Sequence, residues 1–108
     1  MNIFVDLDNT LAEYYDGMDI FEIGSPIESS IKKVRKWILD GHEVVIFTAR
    51  LSLFLSETNS GFTKLPGYDK MVDTINKWCL KNIKETFYVT CVKWHIADMF
   101  VDDKFIKP

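Results

Sequence analysis

The stretch IFVDLDNT, residues 3–10, decides the fold class of this chain. An apolar run, Ile3–Val5, stops at two carboxylates, Asp6 and Asp8, with a single leucine between them. Such a run is typical of a buried strand in a parallel sheet, and in open α/β sheets ligands bind just beyond the carboxyl ends of the strands. A first strand over residues 2–6 would therefore deliver both carboxylates to a ligand site. The alternative is that they simply end the strand and begin a turn, as Asp and Asn often do.

Three further apolar runs are interpreted as strands of the same sheet: Glu43–Thr48, Thr86–Thr90 and Met99–Val101. Helical patterns lie between the strands, one over residues 26–40 and one from about residue 69 to residue 82. Because strands and helices alternate, the sequence predicts an α/β fold with a small parallel sheet and right-handed crossovers. The whole chain, residues 1–108, is expected to form one domain.

The first helix has a well-marked predicted start at Ser25-Pro26-Ile27-Glu28. Ser25 is expected to be the N-cap, Pro26 the first helical residue and Glu28 the end of a capping box. Apolar residues at helical spacing predict the buried side of each helix: Ile27, Ile31, Val34 and Ile38 in the first, and Met71, Ile75, Trp78 and Cys79 in the second. Residues 11–24 are predicted to form a long loop beside the site, and residues 51–67 an irregular, mobile loop.

Composition narrows the class of protein. Of the 108 residues, 47% are hydrophobic and 27% are charged, which suits a soluble globular domain. No apolar stretch is long enough to span a bilayer, and the amino terminus lacks the features of a signal peptide. The net charge of −3 argues against a broad nucleic-acid-binding surface but leaves a nucleotide open. Cys79 and Cys91 have no metal-type spacing, which favours free thiols and a cytoplasmic location.

Polar residues follow every predicted strand. Asp6 and Asp8 follow the first, Thr48 ends the second, Lys93 comes shortly after the third, and Asp102-Asp103 follows the fourth. Carboxylates gathered at one sheet edge repel one another unless a cation lies among them, and an oxygen-only ligand set favours Mg²⁺. A threonine and a lysine are suited to hold phosphate oxygens on the opposite side of the same pocket. This combination suits phosphoryl transfer, whose catalysis is mainly positioning and charge stabilisation.

Each of these residues also has a plain structural interpretation. Threonine is common in strands, so Thr48 could merely end one, and Lys93 could be a surface lysine. Asp102 and Asp103 could form a solvated turn. The coincidence of all of them at successive strand ends is what favours a site.

The same residues, in the same order, carry a family resemblance. The motifs Asp6-Leu7-Asp8-Asn9-Thr10, Phe47-Thr48-Ala49-Arg50, Lys93 and Val101-Asp102-Asp103-Lys104 resemble the four motifs of the haloacid dehalogenase (HAD) superfamily of phosphohydrolases. The spacing of helices and strands between the motifs also fits, so the resemblance covers almost the whole chain. It implies a three-layer, Rossmann-like (HAD-like) fold without a cap domain, similar to small capless phosphatases of the capsule-biosynthesis or uncharacterised type.

The resemblance implies a role for each of four residues. Asp6 is expected to attack phosphorus and form an aspartyl-phosphate. Asp8 is expected to protonate the leaving oxygen and later to activate water. Thr48 would hold a phosphate oxygen, and Lys93 would neutralise charge on both the phosphate and Asp6.

The resemblance also implies a magnesium site. Asp6 and Asp102 would supply side-chain ligands to Mg²⁺, and Asp8 would contribute its backbone carbonyl. Asp103 would either ligate the ion or orient a bound water.

Further substrate contacts are assigned, by the same resemblance, to residues after the first two strands. Backbone N–H groups around Leu7, Asp8 and Asn9 would donate to the phosphate as a nest does. Ala49 and Arg50 are assigned to substrate binding beside the threonine, and Thr10 would brace the loop.

Substrate specificity is expected to come from the two loops, because the chain has no room for a large cap. Tyr14, Tyr15, Phe21 and Phe54 are candidates to stack on a base or sugar, with a core role favoured for the two phenylalanines. Exposed sheet edges in so short a chain are compatible with a homodimer. The expected partner is a small phosphorylated molecule, and no association with a membrane is expected.

Three alternatives to a phosphatase of small phosphomonoesters stay open. The first is a phosphatase of nucleotides or nucleic-acid 3′ ends. The second is a signalling receiver domain, although receivers carry the acidic pair on the first strand and the phosphorylated Asp on a later one. The third is a phosphate-binding module that has lost activity.

Overall fold

The structure, a computed structural model, describes residues 1–92 and 98–102. In chain order the elements are β1 (Asn2–Asp6), α1 (Glu28–Leu39), β2 (Glu43–Phe47), a 3₁₀ helix (Ala49–Phe54), β3 (Leu55–Thr58), β4 (Gly61–Lys64), α2 (Tyr68–Asn82), β5 (Tyr88–Thr90) and β6 (Met99–Val101). The predicted strands at residues 2–6 and 99–101 are confirmed. The second and third strands are shorter than predicted, since Thr48 lies just beyond β2 and β5 begins at Tyr88.

Four strands form one parallel sheet in the order β5-β2-β1-β6. In this order β1 is a central strand, which explains why its apolar run is continuous. Ile3, Phe4 and Val5 are all almost fully buried, as expected for a strand covered on both faces. The predicted α/β fold with a small parallel sheet is therefore confirmed.

The main hydrophobic core lies on one face of this sheet. Strand residues such as Val5, Ile46 and Val101, which are register partners, join one cluster with Ile31 of α1 and Ile75 of α2. The opposite face carries three phenylalanines, Phe4, Phe47 and Phe100, whose rings pack together. Because both described helices contribute to the cluster on the same face, the third layer stays a prediction.

The predicted start of the first helix is wrong. Helix α1 begins at Glu28, and its N-cap is Ile27, whose apolar side chain makes no capping hydrogen bond. The preceding residues are drawn into backbone pairing instead, because Ser25 accepts a hydrogen bond from the Glu13 N–H at 2.8 Å and the Ile27 N–H donates to Leu11 at 2.8 Å. This pairing holds the predicted capping motif in an extended conformation.

The prediction of an irregular loop over residues 51–67 is also wrong. The segment continues a 3₁₀ helix and then forms the antiparallel hairpin β3–β4, in which Leu55 pairs with Lys64 and Thr58 with Gly61. All of β4 is exposed, and Phe62 is 58% exposed. A hairpin that buries so little lacks the alternation of apolar and polar residues by which strands are recognised.

The second helix agrees with its prediction. Helix α2 buries Met71, Ile75 and Cys79, while Trp78 is half-buried and its indole N–H donates to the Gly24 carbonyl at 3.0 Å. Both cysteines, Cys79 and Cys91, are free thiols. Within residues 1–92 and 98–102, no helix is both long and apolar enough to cross a membrane.

Candidate functional site

The sheet register brings three of the predicted site residues to one edge. Asp6 pairs with Phe47, the residue before Thr48, so the ends of β1 and β2 are level. On the other side of β1, Val5 pairs with Val101, so Asp102 follows β6 at the level of Asp6. The carboxyl ends of three adjacent strands therefore carry Asp6, Thr48 and Asp102, as the sequence predicted for this edge.

The segment after β1 is a tight turn closed on Leu7. The Leu7 carbonyl accepts hydrogen bonds from the N–H groups of Leu11 and Ala12, at 2.9 and 3.0 Å, and its side chain is fully buried. Asn9 takes the left-handed conformation, with φ of 61°, that the turn requires and that asparagine tolerates. The turn fixes the direction in which Asp8 leaves the strand.

Backbone N–H groups of this turn already have partners within the protein. The Leu7 N–H donates to Asp6 Oδ1 at 2.9 Å, and the Asn9 N–H donates to the Ala12 carbonyl at 2.7 Å. The bond from Leu7 orients the Asp6 carboxylate at the strand end. The contacts of Leu7 and Asn9 with a substrate phosphate stay predictions.

Asp8 forms a two-pronged salt bridge with Arg50. Arg50 Nε donates to Asp8 Oδ2 at 2.9 Å, and Nη2 donates to Asp8 Oδ1 at 2.8 Å. The Arg50 side chain is 6% exposed and that of Asp8 is 23% exposed. Paired donors on a carboxylate fix its plane as well as its position, so Arg50 orients Asp8.

The other donors of Arg50 hold the long loop. Nη1 donates to the carbonyl of Ile20 at 2.8 Å and to that of Glu22. The Arg50 N–H in turn donates to Thr48 Oγ1 at 3.2 Å, and Thr48 thereby caps the 3₁₀ helix. One buried guanidinium thus ties together the turn after β1, the loop over residues 11–24 and the segment after β2.

These contacts change the interpretation of Arg50. The sequence assigned it to substrate binding together with Ala49, which is exposed at the start of the 3₁₀ helix. In the structure four hydrogen bonds commit the Arg50 guanidinium to Asp8 and to loop carbonyls. Sequence reasoning missed this positioning role, because its partners Ile20 and Glu22 act through backbone atoms that no side-chain motif reveals.

A cavity of about 510 Å³ opens beside the salt bridge. Its walls come from the turn after β1, from the long loop and from the 3₁₀ helix: Asp8, Asn9, Tyr14, Met18, Asp19, Ile20, Ala49, Arg50, Ser52 and Leu53. A volume of this size is typical of small-molecule sites.

The four aromatic candidates divide between this cavity, the loop and the core. Tyr14 lines the cavity and is 43% exposed. The Tyr15 hydroxyl donates to Glu22 Oε2 at 2.8 Å, and this carboxylate raises the pKa of Tyr15. Phe21 and Phe54 pack on each other, with ring centroids 5.6 Å apart, against the core, as the sequence favoured.

The described residues include some, but not all, of the predicted magnesium ligands. Asp6 and Asp102 lie at the same sheet edge, and carboxylates are the donor type that Mg²⁺ prefers, whereas the Asp8 side chain is held by Arg50. The described part of the chain gathers no group of three or more potential metal-ligating side chains. Lys93 and Asp103 lie outside the described residues, so their roles, and magnesium itself, stay predictions.

Comparisons with known proteins bear on the fold. No protein-family model and no curated protein matches the chain. Among solved structures, it is similar to a conserved protein coded by a locus of Bacteroides thetaiotaomicron, with a TM-score of 0.60 and 19% sequence identity. The match covers 96% of this chain and 76% of that one. Likeness at this identity supports the α/β fold, and function must be argued from the site.

Proposed function

We propose that the chain is a magnesium-dependent, HAD-type phosphohydrolase that cleaves a small phosphomonoester through an aspartyl-phosphate on Asp6. The observation that carries the proposal is the register of the sheet. It aligns Asp6, Thr48 and Asp102 at the ends of three adjacent parallel strands, with Asp8 two residues further on. Ligands of open parallel sheets bind at this edge.

Asp6 is the nucleophile in the proposed reaction. One of its carboxylate oxygens attacks phosphorus as the bond from phosphorus to the leaving oxygen breaks. The leaving oxygen takes a proton from Asp8, which must first exchange one of its two bonds to Arg50 for that proton, because a carboxylate that accepts from the guanidinium at both oxygens has no proton to give. The Leu7 N–H, 2.9 Å from Asp6 Oδ1, fixes the orientation of the carboxylate before the attack. Water then attacks the same phosphorus and gives its proton to Asp8, and the bond to Asp6 breaks to release phosphate.

The remaining residues hold the phosphate and its charge. The Thr48 hydroxyl oxygen accepts a hydrogen bond from the Arg50 N–H at 3.2 Å. Its own proton would then be donated to a phosphate oxygen. Asp6, Asp102, Asp103 and the Asp8 carbonyl would hold Mg²⁺, which supplies charge stabilisation for the transferring group when it is bound. Lys93 is assigned to neutralise the phosphate. The two free thiols fit the cytoplasmic location that belongs to the same proposal.

The experiment that tests the proposal is phosphate release from a panel of sugar phosphates, nucleotides and simple alkyl and aryl phosphates. We expect turnover of at least one member with Mg²⁺ and none with a chelator in excess. Folding is checked by circular dichroism on the same sample. Folded protein that turns over no member at any Mg²⁺ concentration would contradict the proposal, and a long-lived phosphoprotein without turnover would favour the receiver alternative.

A further inference from the structure

The position of the cavity beside the salt bridge points to a role in the proposed reaction. Asp8 forms part of its wall, whereas Asp6, Thr48 and Asp102 are not among its lining residues. The residue proposed to protonate the leaving oxygen therefore faces this space, whereas the proposed nucleophile Asp6 and the phosphate-holding Thr48 do not line it. The group that fits here is the one attached to the leaving oxygen.

The wall of the cavity is apolar on two sides. Tyr14 on the long loop is 43% exposed, and Leu53 on the 3₁₀ helix is 64% exposed. Together with Met18 and Ile20 they leave large apolar side chains facing one cavity. Apolar surface of this kind gains free energy when a ligand removes it from water.

Tyr14 is also placed to stack on a flat group. The Arg50 guanidinium carbon lies 6.0 Å from the centre of the Tyr14 ring, and Arg50 is itself fixed by Asp8 and by the loop carbonyls. The ring thus stands beside a rigid part of the site. Aromatic rings in such positions bind flat ligands by stacking, and this needs no particular hydrogen-bond pattern on the ligand.

The charges around the cavity disfavour an anionic occupant. Its lining residues include two carboxylates, Asp8 and Asp19, and one cation, Arg50. Arg50 is already paired with Asp8, which leaves the charge of Asp19 unbalanced among the lining residues. A leaving group that carries a carboxylate or a second phosphate would be repelled.

We infer that this cavity binds the leaving group of the substrate, and that the preferred substrates are phosphomonoesters whose leaving group is neutral and carries an aromatic ring. The inference rests on the proposed function, because it takes Asp8 as the residue next to the leaving oxygen. Nucleoside monophosphates and simple arylalkyl phosphates both belong to this class.

Benzyl phosphate and ethyl phosphate test the inference, because both release a primary alcohol and differ mainly in the ring. We expect kcat/KM for benzyl phosphate to exceed that for ethyl phosphate by on the order of ten-fold or more. Tyr14→Ala and Leu53→Ala should each remove most of this preference, mainly through KM, and Tyr14→Phe should restore it. Leu39→Ala is the control, since Leu39 is 86% exposed on α1 and lines no part of the cavity.

Equal kcat/KM for the two esters, or a loss in Tyr14→Ala that is the same for both, would overturn the inference while leaving the phosphatase intact. A second measurement does not depend on turnover. Benzylphosphonate and ethylphosphonate are titrated into the wild-type protein and into Tyr14→Ala, with binding followed by NMR. Tighter binding of benzylphosphonate that Tyr14→Ala abolishes supports the cavity even if no ester is hydrolysed, and equal binding of the two phosphonates refutes it.

Discussion

Replacing Arg50 with methionine should destabilise the protein much more than the same replacement of Arg35, the other arginine of the chain. Methionine keeps much of the length of the side chain but removes the charge and every donor. Asp8, 23% exposed, loses both of its bonds to the guanidinium, and the carbonyls of Ile20 and Glu22 lose a charged donor. The partners are left in place without the cation that held them.

The magnitude follows from the burial of the two partners. Removing one member of a fully buried ion pair lowers the free energy of unfolding by about 3–5 kcal/mol. Asp8 retains some contact with water, which favours the lower part of that range, while the two carbonyls add to the loss. We therefore expect a loss of about 3 kcal/mol, a large part of the total stability of a domain of this size.

Urea unfolding followed by circular dichroism measures this loss, and Arg35→Met is the matched control. Arg35 makes one exposed hydrogen bond through Nη2, to the Asn82 carbonyl at 2.7 Å, so its replacement should change the stability by less than about 1 kcal/mol. The double variant Asp8→Asn/Arg50→Met should lose less than the sum of the two single variants, because the pair is coupled. Equal effects of Arg50→Met and Arg35→Met would refute the positioning role of Arg50.

Three further predictions concern the loop and the thiols. Gly24→Ala should lower the free energy of unfolding by about 1–3 kcal/mol in the same urea assay, because a Cβ at Gly24 collides with the Glu13 backbone carbonyl. Gly17→Ala, whose Cβ meets nothing within 4 Å, should lose only the roughly 1 kcal/mol that a Cβ costs at its positive φ of 92°, and a loss larger than that of Gly24→Ala would contradict the collision at Gly24. Burial raises the pKa of the Cys79 thiol from its ordinary value of 9.0 to about 12. Stability should therefore fall as the pH rises from 9 towards 12, by up to about 1.4 kcal/mol per pH unit, and Cys79→Ala should lack this part of the fall. A thiol reagent at pH 8 should label Cys91 before Cys79, and the reverse order would show that Cys79 is accessible.

The sequence predicted the sheet well because the signal for a buried parallel strand is local. Ile3–Val5 is apolar at every position, and β1 is indeed covered on both faces at the centre of the sheet. The same holds for the residues that follow the strands. A parallel sheet brings the ends of its strands to one edge whatever their order, so Asp6, Thr48 and Asp102 could be grouped without knowing that β1 lies between β2 and β6.

The failures all depend on contacts between distant parts of the chain. The capping motif at Ser25 is locally favourable, yet backbone pairing of residues 25–27 with residues 11–13 determines where α1 begins. The hairpin β3–β4 has mostly exposed side chains and so leaves little trace in the pattern of hydrophobic residues. The role of Arg50 could not be predicted, because it depends on the loop carbonyls that its guanidinium meets 28 and 30 residues away.

Trapping of the covalent intermediate tests the central claim most directly. The protein is mixed with benzyl phosphate and Mg²⁺, quenched with borohydride, which reduces an acyl phosphate to an alcohol, and digested for peptide mass spectrometry. We expect a reduced residue at Asp6 in the wild type and none in Asp6→Asn. Asp98→Asn is the control, because Asp98 accepts a bond from the Asn2 N–H at the opposite end of β1, and it should still be trapped at Asp6. Turnover that persists in Asp6→Asn, or reduction at a different aspartate, would contradict the account.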